Sequence, residues 1–450
     1  MSVSLRRSRG LSAARRRRAG ALRAGGVLVA LSLAIAVVAG GCARGPRRPP
    51  GEPVRLPTGP RPGATTAAGV PLLRIGLATG LDTLSIGCGE TWRIALRGKA
   101  RRPNRNDGGT RWRFSAETSG IGVTDERGRY RGAFPETLRF YPEAGGAIAA
   151  LGREYRDTLE VFAGSDGKLT VVNVIDVEDY LRGVVAQEIG EGGPGGIEAV
   201  KAQAVAARTY ALSYVGRWRD LGFDLHADVR DQVYLGIPGE RAASDRAINE
   251  TRGVVALYDG TYIRANYCST CGGHTASNDE VWNQAPLAFL RGTPDRDAKA
   301  DFCRTSKHYR WEETLTGEEF WKNFHAYYLT DASEQGESLR GIEVKERSES
   351  GRVREFLVRT SRRDVVVKGD AIRWAVRRPG AGSAPLRSTY FDVETKKKNG
   401  RIERVVLRGR GFGHGVGMCQ TGALGMSREG YDYQKILRHY YRGIDLRRLY

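Results

Sequence analysis

The chain has 450 residues, of which 27% are charged and 40% hydrophobic, and it carries six Cys and a formal net charge of +21. That charge invites a nucleic-acid partner, but +12 of it lies in residues 1–70, where 13 Arg face the single acid Glu52, leaving +9 for the remaining 380 residues. There Lys and Arg are scattered rather than interleaved with aromatic residues and no nucleic-acid motif appears, which excludes that class of partner.

Residues 1–42 open with Arg6, Arg7, Arg9, the run Arg15 to Arg18 and Arg23, continue through an uncharged apolar stretch, 25–41, and end in Ala39-Gly40-Gly41-Cys42. A basic flank, a short apolar core and small residues before a cut make a secretory signal. The stretch is short of the roughly 20 apolar residues a spanning helix needs. The Cys after the small residues resembles a lipoprotein signal, so Cys42 is expected to be acylated and to become the new N-terminus. An uncleaved N-terminal helix is the alternative. Either anchors an exported protein on the outer side of the cytoplasmic membrane, or in the periplasm at the outer membrane. A basic exported domain meets anionic wall polymers or lipid more readily than DNA.

Residues 43–70 are rich in Pro, Gly and Arg with almost no large apolar residues, and read as a spacer. From 71 to 170, short β-like runs (TLSIG, WRIAL, TLRFYP, DTLEVFAG, LTVVNVI) alternate with Gly, Asp and Asn turns, giving a β-rich region. The character changes near 171. VEDYLRGVVAQEI predicts a helix with Val177, Leu181, Val184 and Val185 on one side; a Gly-rich turn, 190–196, separates it from IEAVKAQAVAARTYALSYVGRW. The second helix shows Ala and Val on every face, so it is expected to be buried. A hairpin follows across Tyr258-Asp259-Gly260, then strand-rich stretches at 341–368 and 389–408, a Gly-rich segment and a last amphipathic helix, YDYQKILRHYY. The expectation for 171–450 is an α+β unit of catalytic size.

Several residues stand out chemically. Lys201, Gln203, Arg208 and Tyr210 lie on the buried second helix, where polar side chains must find partners. Those partners are a ligand at the edge of a cleft, with Arg208 able to hold a carboxylate through two nitrogens, or else neighbouring loops. Gly409, Gly411, Gly413, Gly415 and Gly417 alternate in a way that lets a backbone or a glycan approach closely, without the order of a dinucleotide fingerprint. His414 at their centre is a candidate hydrogen-bonding group for substrate, with Gln420 beside it and Cys419 read as a small buried residue. Cys268-x2-Cys271-x2-His274 with Cys303 further on has the spacing of a structural zinc site. A disulfide from Cys303 to Cys271 or Cys268 suits an exported chain equally. His226 is a conceivable extra ligand. No cofactor is required, and zinc enters only as the structural alternative to that disulfide.

Three segments combine into one resemblance: TVVNVIDVEDYLRGVVAQEI joined to EAVKAQAVAARTYAL, then YIRANYCSTCGGHTASNDEVW, then RGRGFGHGVGMCQTGALGMSREGYDYQKILRHYYRGIDL. In this order they look like the SpoIID/LytB family, and the likeness runs from about residue 154 to the C-terminus. The resemblance implies a SpoIID-like catalytic domain acting on peptidoglycan glycan strands, either as a lytic transglycosylase or as a non-catalytic enhancer of a wall amidase. It places Glu188, at the end of the first helix, where the family has its catalytic acid. Glu191, close by, is the understudy. It also supports a site role for His414, and some members bind zinc in the region of the Cys cluster.

Overall fold

The computed structural model describes residues 64–96, 104–106, 108–143, 145–328, 336–382 and 384–450. The candidate signal, Cys42 and most of the 43–70 spacer lie outside them. The spacer's last residues join the fold: Thr65 bridges Pro71 and Val70 is buried. Among the described residues, no helix is long and apolar enough to cross a membrane.

The β-rich region builds two sheets. The six-residue strand TLSIGC puts Leu84 and Ile86 on a buried face, as a period of two requires. The strand Leu72–Leu81 pairs antiparallel with Leu169–Asp176 and parallel with the short strand Leu225–His226. It thereby ties the N-terminal region to the helical part, and one hydrophobic core runs from Val70 to Ile444. Leu169–Asp176 leads directly into the first helix, so the chain crosses from sheet to site without a linker.

Helix α1 spans Val177–Ile189; Asp176 caps it by accepting from the N–H groups of Glu178 and Asp179, and Gly190, at φ 74°, ends it. Helix α2, Ile197–Ser213, is buried at every residue from Ala199 to Ser213 except Lys201. Small side chains let α1, α3 (Ala242–Glu250), α7 (Gln420–Arg428) and α8 (Tyr433–Tyr440) pack around it. The short α4 is Asn278–Val281. The expected hairpin forms from Val254–Tyr258 and Thr261–Tyr262.

The 171–450 stretch also contains a second hydrophobic core, from Leu315 to Leu407. It is enclosed by two three-stranded antiparallel sheets together with α5 (Gly317–Tyr328) and α6 (Ala371–Val376). Phe320, Phe324, Phe356 and Phe391 fill it. The Gly-rich segment leaves this second unit at Gly409 and returns to the main core at Val416.

Candidate active site beside Glu188

Glu188 sits in the last turn of α1, partly buried. Its carboxyl accepts from the Gln420 amide at 3.4 Å and lies beside the Val233 N–H and the Tyr267 hydroxyl, donors that favour its charged form. Burial outweighs these three donors and pushes its pKa up to about 6. Each donor comes from a different part of the chain. Tyr267 lies on the strand Tyr267–Cys268, which pairs parallel with Met418–Cys419; that ladder sets Gln420, the first residue of α7, next to Tyr267.

Behind the carboxyl is a connected set of amides and phenols. Gln232 donates to the Tyr267 hydroxyl (2.9 Å) and accepts from Tyr180 (3.2 Å). Gln420 also reaches Gln203 at 3.4 Å, and Gln203 is fully buried with its Nε2 unpartnered among the described residues. An unsatisfied buried N–H costs roughly 1–3 kcal/mol. The rings of Tyr267, Tyr210 and Tyr214 follow one another at 6.4 and 4.6 Å, and the Arg217 guanidinium covers Tyr214 at 4.7 Å. Arg217 bonds Asp231 at 2.6 Å and is otherwise exposed.

The residues singled out in sequence divide accordingly. Glu188, Gln203, Tyr210 and Gln420 come together. Arg208 does not join them: fully buried, it binds Glu178 through two nitrogens at 2.9 and 2.7 Å and the carbonyl of Val254 at 3.0 Å. Its bidentate partner is the protein's own carboxylate, so it braces α2 against α1. Lys201 is drawn to Glu198 and Glu250 at 2.6 and 2.7 Å. His414 accepts the Val416 N–H on Nδ1 at 3.0 Å and packs at a tilt against Trp282, beside the Tyr267 backbone, with burial holding its pKa down to about 4. It is a neutral brace of the Gly-rich segment and steadies Tyr267. Glu191 is exposed on the turn. Tyr267, Gln232, Tyr214 and Arg217 were missed in sequence; Tyr267 alone had a signal, being adjacent to the Cys motif.

The cysteine set also differs from its spacing. Cys271, Asp295, Cys303 and Cys419 each offer a ligand atom within 4.8 Å of the others, all buried. This group could hold a metal ion. Cys268 and His274 are outside it: Cys268 is buried beside the Gly415 backbone and His274 pairs through Nδ1 with the carbonyl of Thr275. His226 is packed between Trp218 and Phe223. The turn after Cys271 swings His274 away, whereas the parallel ladder brings Cys419 in. The five described cysteines are free thiols, with Cys271 and Cys303 sulfurs 3.7 Å apart, well beyond a disulfide bond. Two thiolates on a tetrahedral zinc, each at ~2.3 Å, would stand ~3.8 Å apart. Tyr440 donates to Asp295 at 2.6 Å, the outer support such ligands require. The link to Glu188 is direct. Cys419 caps α7 by accepting from the Gly422 N–H at 3.2 Å, and Gln420 follows it.

Around this carboxyl the chain carries a SpoIID family domain. The family model described as Stage II sporulation protein matches residues 165–258, and a domain of unknown function (DUF8618) matches 297–417, the stretch around the second core. An uncharacterised protein of Brachyspira hyodysenteriae is 31% identical over 320 residues, 70% of this chain and 77% of that protein. Stage II sporulation protein D of Bacillus subtilis is 26% identical over 292 residues, 61% of this chain and 75% of that protein. The amidase enhancer of Bacillus subtilis is 27% identical over 295 residues, 59% of this chain but 40% of that longer protein.

Proposed function

We propose that the chain is an exported peptidoglycan lytic transglycosylase with Glu188 as its acid and base in turn. The observation that carries this reading is the Glu188 carboxyl itself, raised to about 6 and flanked by donors that orient it. A hydrolase of sugars uses two carboxylates. The neighbouring Asp231 is committed to Arg217, the Trp218 indole and the His226 N–H, and Glu178 to Arg208. One carboxyl suffices when the sugar's own C6 hydroxyl attacks the anomeric carbon: Glu188 protonates the leaving oxygen, then takes the hydroxyl proton. The tyrosine rings would carry the sugar, with the Gln420 amide, which bonds both Glu188 and Gln203, at the carboxyl. Purified protein should release fragments from glycan strands stripped of their peptides.

The likeness to an amidase enhancer supports a second reading, in which the cleft binds glycan or a wall amidase without cutting. Stimulation of an added amidase that survives Glu188→Gln would favour it.

The Cys271, Asp295, Cys303 and Cys419 group is proposed to hold a structural zinc that fixes the start of α7 and hence Gln420. Purified protein should then contain close to one equivalent of metal, and a chelator should lower its melting temperature. Metal-free protein with three reduced, reactive thiols and an unchanged melt would refute this.

Location is likewise a proposal, resting on residues 1–42. Cells should incorporate labelled fatty acid into the wild-type chain and not into Cys42→Ala; persistent label in the variant would remove the lipoprotein reading.

A further inference from the structure

The second unit, for which the family comparison offers no function, carries a cavity of about 680 Å³ at the edge of the sheet formed by Trp311–Thr316, Arg401–Gly409 and Phe391–Lys398. That volume is within the ~300–1,000 Å³ of small-ligand sites. Two of its features are built rather than incidental.

The first is Trp311. Its ring lies against Gly409 so closely that a Cβ there would collide with it, and its Nε1–H is tied to the Gly411 carbonyl at 2.9 Å. The ring is thus fixed at the cavity wall while remaining partly exposed. A held, half-exposed indole is a platform for the apolar face of a sugar ring.

The second is the charge. Arg347 is neutralised by Asp392 at 2.5 Å, and Arg408 by Glu312 and Glu394, both at 2.8 Å. Arg410 differs. Its guanidinium rests on the Tyr390 ring at 4.6 Å, its own N–H donates to Tyr390 at 2.9 Å, and its carbonyl accepts from Ser388 at 2.6 Å. Among the described residues it has no carboxylate partner, and neither does the exposed Arg310, which lies on Tyr309 at 3.8 Å. An aromatic-backed guanidinium keeps its planar donors aligned for an oxyanion.

We propose that this cavity binds a saccharide carrying an anionic group, a carboxylate or a phosphodiester, with the sugar on Trp311 and the charge on Arg410. Arg410 opens the Gly-rich segment that ends at Gln420, ten residues on, so the two sites are no more than ~35 Å apart along the chain. The cavity is therefore an accessory subsite that holds a charged wall polymer while the Glu188 cleft engages it. The choice of wall polymer rests on the function proposed above; the cavity's chemistry does not.

The test is titration calorimetry on the full chain carrying Glu188→Gln, so that nothing is cleaved. The probes are a muramic-acid-containing oligosaccharide, a glycerol-phosphate oligomer and neutral chitotetraose. Tighter binding of either anionic probe than of chitotetraose is expected. Arg410→Gln should weaken it about tenfold at unchanged melting temperature, and Trp311→Ala about tenfold. If Trp311→Ala fails to fold, Trp311→Phe should retain most of the affinity. Preference for the first or second probe assigns the source to glycan carboxylates or to a phosphodiester polymer. Equal binding of chitotetraose, no binding of either anionic probe, or binding indifferent to Arg410→Gln overturns the proposal. Strand cleavage by the Arg410→Gln variant, measured separately, keeps the fate of the Glu188 reading distinct.

Discussion

Glu188→Gln should lower glycan-strand cleavage at least a hundredfold, the scale of a lost general acid, while making the folded protein more stable at neutral pH. Both effects have one cause. The folded carboxyl titrates at about 6, against an ordinary value of 4.5, because it is partly buried. A raised acid pKa contributes stability that is present below about pH 4.5 and lost as pH rises through 6, since the folded state then holds an ionised group out of water. After allowance for its partial exposure this costs on the order of 1 kcal/mol at neutral pH. Gln has nearly the same shape and no charge, so the variant escapes that cost. The wild-type rate should accordingly fall above pH 6, as the acid deprotonates, and the residual rate of the variant should be flat there. A stability-neutral variant that keeps its rate would mean that Glu188 is a solvated helix-end residue. Thermal melts at two pH values beside a cleavage assay decide it.

The second large effect is on folding. Arg208→Ala should cost about 3–5 kcal/mol, the range for leaving one partner of a buried pair alone. Glu178 would then keep only the Gly253 N–H at 3.0 Å and the Tyr450 hydroxyl at 2.7 Å. Burial by itself would raise Glu178, but Arg208 with these two donors outweighs it and holds the carboxyl below its usual 4.5. Its contribution is therefore present above pH 4.5 and lost as pH falls through the lower folded value. The acid limb of the wild-type melting curve should report that loss, and Arg208→Met with Glu178→Leu should recover part of the stability at every pH. A variant that melts like wild type yet loses substrate affinity would return Arg208 to the sugar-binding role suggested by its helix.

Why sequence placed Glu188 at its helix end but did not find the partner of Arg208 is a matter of what each signal contains. The apolar stripe of α1, its Asp176 cap and the Gly-rich turn are all local, so the limits of that helix and the place of Glu188 at its end were legible. On α2 every face is Ala or Val, and a helix without a polar side gives no hint of which way an Arg turns. That is decided by Glu178, thirty residues away. The cysteine motif fails for a related reason. Spacing within 268–274 is local, but Asp295 and Cys419 are brought in by a turn and by the parallel pairing of Tyr267–Cys268 with Met418–Cys419. Nothing in TPDRD marks Asp295 as a partner for thiols. The second core was read as strand-rich stretches without being recognised as separate, because its Phe residues lie far apart in the chain and meet only through α5 and α6.

The central claim is tested most directly by the mass of the fragments that purified wild-type protein releases from peptide-free glycan strands. A single carboxyl working through intramolecular attack predicts 1,6-anhydro-muramyl ends, each lighter by one water than a hydrolytic product, and predicts that they vanish in Glu188→Gln. Reducing ends would contradict the account by requiring a second carboxylate, and intact strands under conditions where an added amidase is still stimulated would contradict it by removing the enzyme altogether.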